Sequence, residues 1–327
     1  MIHKKALAFL RKNPVFVILA VFIIVPCFLS PRFMTLGNWA NMLMQSSGVG
    51  VVALGATLLA INGYKDLSAG AIMCLSAALA VMTQPKIGMW GGIAFALVVA
   101  SVVGLINGIL AVKVGLDTYI SSLAMMLGCK GIVYTLTDGY PISAVDTRFA
   151  AFGEGTVLGI SNLFIVFLVL LIVVSLVLSF TTHGRNSYAC GGNMDAARNA
   201  GINVMRTSII NFVVCAVGAC IGGVLMAMRA NSFYSYIGFP DTNFMIVVMI
   251  VMGGTKMQGG VGHVINTWCG VLVVAIFQNV FNLMNINPFY SSMFTGLILI
   301  VTLLIDNFVK PGVTTSKHLK RKRKSAA

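Results

Sequence analysis

The chain has 327 residues, 58% of them hydrophobic and 9% charged, and carries a net charge of +14. A soluble domain holds about 25% charged residues. This composition, with a mean hydropathy of +0.94, therefore excludes a water-covered globule and makes lipid the main solvent. The charge is crowded into the head "MIHKKALAFLRKNP" and the tail "KHLKRKRKSAA", a pattern of a cytoplasmic membrane face or of contact with anionic lipid, and it argues against nucleic acid.

Apolar runs long enough to span a bilayer recur without alternating, which predicts helices and not a β-barrel. Ten spans are read, at roughly 14–30, 48–63, 67–83, 89–112, 117–137, 162–181, 207–229, 242–254, 263–284 and 289–307. The first has no small-x-small cleavage site in "CFLSPRF" and is expected to be an uncleaved anchor. Segment 37–47, "GNWANMLMQSS", is too polar to span and reads as an interfacial helix with Trp39 at headgroup level. Spans 48–63 and 242–254 are short and flanked by Gly and polar residues. They are expected to be tilted or broken, which a membrane tolerates only where neighbours or a cavity satisfy the freed backbone. "NGYKDLSAG" (62–70) and "GGTKMQGGVG" (253–262) echo each other at Gly-x-Lys, too weakly to establish a repeat.

With the N-terminus inside, seventeen Lys and Arg fall on the cytoplasmic side. Four fall outside (Arg32, Lys86, Arg148 and Arg229), and Lys130 lies within a span. The bias predicts an all-α polytopic membrane protein of about ten transmembrane helices with both termini cytoplasmic. It is one integral domain over 1–327, with a cytoplasmic basic head at 1–13, a cytoplasmic loop at 182–206 and a cytoplasmic basic tail at 308–327. The external loop 138–161 is either a contact for an outside partner or a solvated connection.

Residues that carry catalytic chemistry are sparse. No P-loop, G-x-S-x-G or H-E-x-x-H pattern occurs, so no enzyme activity is expected. Seven cysteines without a Cys-x-x-Cys pair read as buried thiols, with neither disulfide framework nor metal site. Asp66, Asp117 and Asp306 are expected near cytoplasmic span ends, within reach of water, and Lys130 is the deepest charge. With no carboxylate at a span centre, an ion-coupled secondary carrier of a small polar solute is the lesser alternative. The spans do hold neutral amides, at Asn62, Asn107, Gln278, Asn279 and Asn282. These either line a solute pathway by hydrogen bonding to hydroxyls or act as glue between helices. Gly104-x-x-x-Gly108 and Gly218-x-x-x-Gly222 predict close helix packing.

The loop 184–202, "GRNSYACGGNMDAARNAGI", is a polar island between strongly apolar runs. A connection of this length is long for a bundle. It is expected to hold a short helix, Met194 to Ala200, capped by Asn193 and ended by Gly201. One face would offer Ala197 and Ala200 beside Arg198 as a docking knob.

The island resembles the cytoplasmic coupling loop of permease subunits of ATP-binding-cassette sugar importers, in the ribose, xylose and galactose branch that includes the autoinducer-2 permeases. That loop typically reads G-R-x-x-Y-A-x-G-G-N-x-x-A-A-x-x-x-G-I. "DLSAGAIMCLSA" (66–77), "GLINGILAVKVG" (104–115), "GIVYTLTDGYPI" (131–142), "VMGGTKMQGGVGHVINTWCG" (251–270) and "LLIDNFVK" (303–310) are similar to further family patches, in order along the chain. Two patches depart from the pattern. Tyr64 and Lys65 stand where the family has Gly and Ile before Asp-Leu-Ser, and "LDTYISSL" (116–123) replaces a Pro-rich start. The resemblance implies a coupling role for Gly184, Arg185, Gly192, Asn193, Asp195, Ala196, Ala197, Arg198 and Gly201. It implies alternating access for a monosaccharide-like solute across a bacterial inner membrane. The implied partners are an ATPase that holds ATP-Mg, an extracytoplasmic sugar-binding protein and a second permease copy or paralogue. No cofactor is implied on this chain itself.

Overall fold

The computed structural model describes residues 14–238 and 242–287, with residues 290, 293–298 and 300 beyond them. The predicted basic head and tail, Asp306 and most of the span at 289–307 lie outside the described residues. The chain forms helices α1 (Pro14–Leu29), α2 (Leu36–Ile61), α3 (Ala69–Met82), α4 (Gln84–Val112), α5 (Thr118–Thr137), α6 (Thr147–Glu154), α7 (Asn162–Phe180), α8 (Thr182–Gly192), α9 (Met194–Asn199), α10 (Val204–Ala230), α11 (Thr242–Met252) and α12 (Val264–Leu283). By length and composition, α2, α4, α5, α7, α10 and α12 suffice to cross a membrane, while α1, α3 and α11 are shorter apolar helices.

Local chemistry sets the ends. Asp117 opens α5 by accepting from the N–H of Tyr119 and Ile120, and Asp138 closes it in the left-handed region. Ser161 caps α7, Thr181 caps α8, and Asn203 caps α10. Each side-chain oxygen satisfies an N–H that the first helical turn leaves without a partner.

Two long helices form the centre. Helix α10 packs against α2, α3 and α4, and α2 is buried over most of its length. The small residues predicted for close packing lie at these crossings. A Cβ on Gly104 would come 2.6 Å from that of Ala216, and one on Gly222 would come 2.5 Å from the Gly48 carbonyl. By contrast α4, α5 and α7 are mostly exposed apolar surface, as expected of helices facing lipid.

Helix α2 corrects the reading of 37–47 as an interfacial helix apart from a short span at 48–63. It runs unbroken for 26 residues from Leu36. Its polar groups find partners within the protein and have no need of the headgroup layer. The Asn38 and Asn279 amides exchange two hydrogen bonds, at 2.9 and 2.7 Å, and Ser46 and Ser47 donate to the Leu43 carbonyl.

The span at 242–254 is short as expected, forming α11 (Thr242–Met252), and the second short helix is α3 rather than 48–63. Residues 62–68 leave helical geometry and climb along α10, with Asn62 on Ser208 and Tyr64 against Phe212, one turn further in. Phe212 lies eight residues into α10, about 12 Å from its start at 1.5 Å per residue. Helix α3 thus begins inside the bundle. The Gly70 N–H donates to Asn243 Oδ1 at 2.7 Å, so the first turns of α3 and α11 meet. A Cβ on Gly70 would strike the Gly238 carbonyl.

Loop 138–161 is folded. Strand β1 (Ile142–Ser143) pairs antiparallel with β4 (Ser232–Phe233), and β2 (Thr156–Val157) with β3 (Ile160–Ser161). Between them α6 buries Phe149 completely, and the Gln84 side chain accepts from the N–H of Val145 and Asp146. Asp146 caps α6 and pairs with Arg148 at 2.7 Å. Hydrogen bonds from Arg148 hold its carboxyl down at about 2.

Two outcomes follow from this packing. Gly222→Val is expected to lower unfolding stability in detergent by about 1–3 kcal/mol through overpacking. Gly128→Val, where a Cβ meets nothing within 4 Å, is expected to leave the thermal transition unchanged. Because the Asp146 carboxyl is depressed, its contribution is present above the ordinary carboxylate value and lost as pH falls through about 2. A carbon-13 titration of that carboxyl should show the low midpoint, and Arg148→Ala should move it upward.

Candidate coupling loop and solute cavity

The polar island folds as two short helices. Asn193 Oδ1 accepts from the Ala196 N–H at 2.9 Å to open α9. The helix ends at Asn199, and Gly201 takes φ +82°. This agrees with the predicted cap and stop to within one residue. Gly184 sits where a Cβ would strike the Leu178 carbonyl, so α8 folds back tightly on α7. Below it, Asn211 of α10 bonds both His183 and Ser187, at 2.8 and 3.0 Å. Burial raises the Tyr188 phenol and the Cys190 thiol above their ordinary values.

One part of the docking expectation is corrected. Ala197 is 4% exposed and packs with Cys190 and Val204. A six-residue helix has too few internal hydrogen bonds to stand alone, and Ala197 is the face that holds it down. The exposed face carries Asp195, Ala196, Arg198, Asn199 and Ala200. Asp195 and Arg198 form a loose surface pair at 3.5 Å. Arg185, Gly192, Asn193 and Gly201 are exposed as well.

The back of α8 meets two other loops through glycines. A Cβ on Gly191 would strike the Ile61 carbonyl; one on Gly259 would lie 2.7 Å from Gly63 Cα; one on Gly260 would lie 2.9 Å from Gly192 Cα. Gly63, Gly259 and Gly260 all have φ between +75° and +91°, a region glycine enters without steric cost. The Gly260 N–H donates to the Ile61 carbonyl at 2.8 Å, and the Tyr188 hydroxyl donates to the Gly262 carbonyl at 2.7 Å. The segments 62–70 and 253–262, whose likeness in sequence is slight, are therefore packed on one another and on the coupling loop.

Above this seam lies a cavity of about 310 Å³ between α2, α5 and α11. Its wall includes Tyr64, Lys65, Asp66, Tyr119, Phe244 and Gln258. Lys65 Nζ stands 4.8 Å from the centre of the Tyr119 ring, a cation–π distance. Asp66 Oδ1 accepts from the Ser68 N–H at 2.7 Å, the Ser68 hydroxyl at 2.5 Å and Asn107 Nδ2 at 3.4 Å. The expectation that Asp66 sits at a watery span end is thus corrected. Residues 62–68 do not end a span at the surface; they re-enter the bundle and carry the carboxylate with them.

The five predicted amides are not brought together, and none lines this cavity. Asn62 and Asn107 are buried beside it. Asn62 donates to Ser208 at 2.8 Å and Asn107 to Asp66 and Ser68, and each leaves its amide oxygen without a partner among the described residues. Asn279 is tied to Asn38 as interhelical glue. Gln278 makes a weak contact with Met245 sulfur at 3.5 Å. Asn282 is exposed near the end of α12. Tyr64, Lys65 and Asp66 escaped the list of candidates. The departure at 64–65 and the rarity of carboxylates in the spans were the available signals.

Residues 38–303 match the family described as branched-chain amino acid transport system / permease component. The chain is 32% identical over 297 residues to the L-arabinose transport system permease protein of Escherichia coli, covering 89% of each chain. It is 31% identical over 300 residues to the ribose import permease protein of Bacillus subtilis, covering 91% of this chain and 93% of the relative. It is 30% identical over 324 residues to the galactose/methyl galactoside import permease protein of Escherichia coli, covering 93% and 96%. No solved structure matches.

Ala197→Glu is expected to lower the thermal stability of the folded chain, since the carboxylate would be driven between Cys190 and Val204 and left unpaired. Scanning calorimetry or a thermal-shift measurement in detergent checks this, with Arg198→Ala as the exposed control that leaves the transition in place.

Proposed function

The chain belongs to the branched-chain amino acid transport system / permease component family, and from that membership we infer that it is the permease subunit of an ATP-binding-cassette sugar importer. The relatives that match across 89–96% of their length are named for L-arabinose, ribose and galactose. A monosaccharide-like solute of that class is therefore favoured over an amino acid. Ten spans place both termini on the cytoplasmic side of a bacterial inner membrane, and a second permease copy or a paralogue completes the pore. A binding protein delivers the sugar outside. A separate ATPase, which holds ATP-Mg, docks on the coupling loop; this chain binds no cofactor.

The observation that supports this reading most directly is the seam. Helix α8, which leads directly into the exposed knob, is fixed at its back to the two non-helical loops beside the cavity. Backbone packed on backbone is stiff, so a displacement of the knob by the ATPase carries into the cavity floor. Neither alternating access nor release at the inner face then needs chemistry from this chain. Asn62, Asn107, Gln278, Asn279 and Asn282 are retained as groups of the pathway or of its supporting frame, to be separated by substitution.

A second reading has one observation in its favour. Asp66 is a carboxylate inside the bundle, the kind of group an ion-coupled secondary carrier of a small polar solute would use.

The deciding experiment co-expresses the chain with its genomic neighbours and purifies it in mild detergent. A P-loop ATPase is expected to co-elute, and the chain alone is expected to show no ATP hydrolysis. Ala200→Glu should abolish ATPase capture and sugar uptake while leaving thermal stability unchanged, because its side chain is exposed and a bulky charge there obstructs the partner's groove. Uptake into ATPase-free proteoliposomes driven by a proton or sodium gradient would sink the importer reading.

A further inference from the structure

The cavity above the seam has a composition that the importer reading does not itself explain. At about 310 Å³ it is at the small end of ligand sites, which run from about 300 to 1,000 Å³, and it has room for one small solute. Tyr64, Tyr119 and Phe244 supply ring surface, the usual seat for the C–H face of a sugar. Three polar side chains reach the same space with bonding capacity to spare. Asp66 takes all its donors on Oδ1, leaving Oδ2 without a protein donor among the described residues. Lys65 makes no ion pair among the described residues and faces only the Tyr119 ring. The Gln258 amide is exposed at the edge. An ammonium donates, a carboxylate accepts and an amide does both, a set matched to hydroxyls, which also do both.

Position adds to composition. Tyr64 follows Gly63, and Gln258 precedes Gly259, so two edges of the wall hang from the glycine seam behind the coupling loop. Tyr64 and Lys65 also stand where the resembled family pattern has Gly and Ile.

We propose that this cavity is an inner monosaccharide subsite in which Asp66, Lys65 and Gln258 hold hydroxyl groups, and that Tyr64 and Lys65 decide which monosaccharide passes. The proposal rests on the importer reading above. It predicts a wall that moves with the coupling loop and contacts the solute weakly, since each group offers one or two hydrogen bonds and no enclosing cage.

The test uses the whole importer, reconstituted with its ATPase and binding protein in proteoliposomes, and measures ATP-driven uptake of ribose, L-arabinose and galactose. In the double variant Tyr64→Gly, Lys65→Ile, the ratio of uptake rates among the three sugars is expected to shift by roughly tenfold or more, the scale of a few altered pocket contacts. ATPase capture should be retained, since the exposed residues Asp195, Ala196, Arg198, Asn199 and Ala200 are untouched. Unaltered ratios at unaltered uptake would overturn the proposal. Independently of any variant, a photoreactive diazirine galactose is expected to label the wild-type chain at 64–66, 119, 244–250 or 257–258, and excess galactose should suppress the label. Suppressible labelling confined to other segments would overturn the proposal even if the importer works. Failure of the wild-type complex to take up any of the three sugars would instead overturn the importer reading, and it is seen before any substitution is made.

Discussion

The fold depends on one close approach, the Gly260 N–H on the Ile61 carbonyl with Gly63, Gly191 and Gly259 packed around it. In a bilayer every backbone polar group must find its partner inside the protein. Two segments here, 62–68 and 253–263, leave helical geometry within or beside the bundle, so their N–H and C=O groups need substitutes for the missing helical bonds. They find some of these in one another and in the coupling loop. Any side chain at the contact would hold the backbones apart, which is why the seam is built of glycine. Three of its members also need positive φ, a conformation that other residues enter only at a cost.

The rest of the architecture is arranged to make that approach possible. Helices α2 and α10 cross through small residues and provide a rigid post. Along α10, Ser208 and Phe212 hold Asn62 and Tyr64 at successive turns. Asn107 of α4 then steadies Asp66 and Ser68, and Asn243 receives the first turn of α3. Each of these polar groups sits where a broken helix exposes backbone or charge. These polar residues thus mark the path of the interruption, whereas α4, α5 and α7 present long apolar faces outward.

The structural consequence is that the loop carrying the exposed helix α9 is joined to the loops flanking the cavity by backbone contacts of Gly191 and Gly192 with Ile61, Gly259 and Gly260. Asp195 and Arg198 lie in the open, Ala197 anchors the helix beneath them, and Tyr188 ties the preceding helix to Gly262.

Much of this was legible in the sequence. Hydrophobic run length identified the apolar helices, because span length is a local property set by bilayer thickness. The helix at 194 was legible from Asn193 and Gly201, because caps act within a turn of their own position. The permease family was legible from ordered motifs. Three features depended on distant partners and were not. Asn38 and Asn279, 241 positions apart, bond each other and let α2 run through a stretch too polar to span alone. Ala197 turned inward because Cys190 and Val204 stand behind it. Asp66 entered the bundle because α10 and α4 offered Phe212 and Asn107 to the chain that carries it. The sequence by itself determined which segments are apolar enough for a bilayer and which family the chain joins. Only the tertiary structure decided where the helices break and what the broken ends enclose, because a backbone group in lipid is satisfied by whichever partner the folded chain brings to it.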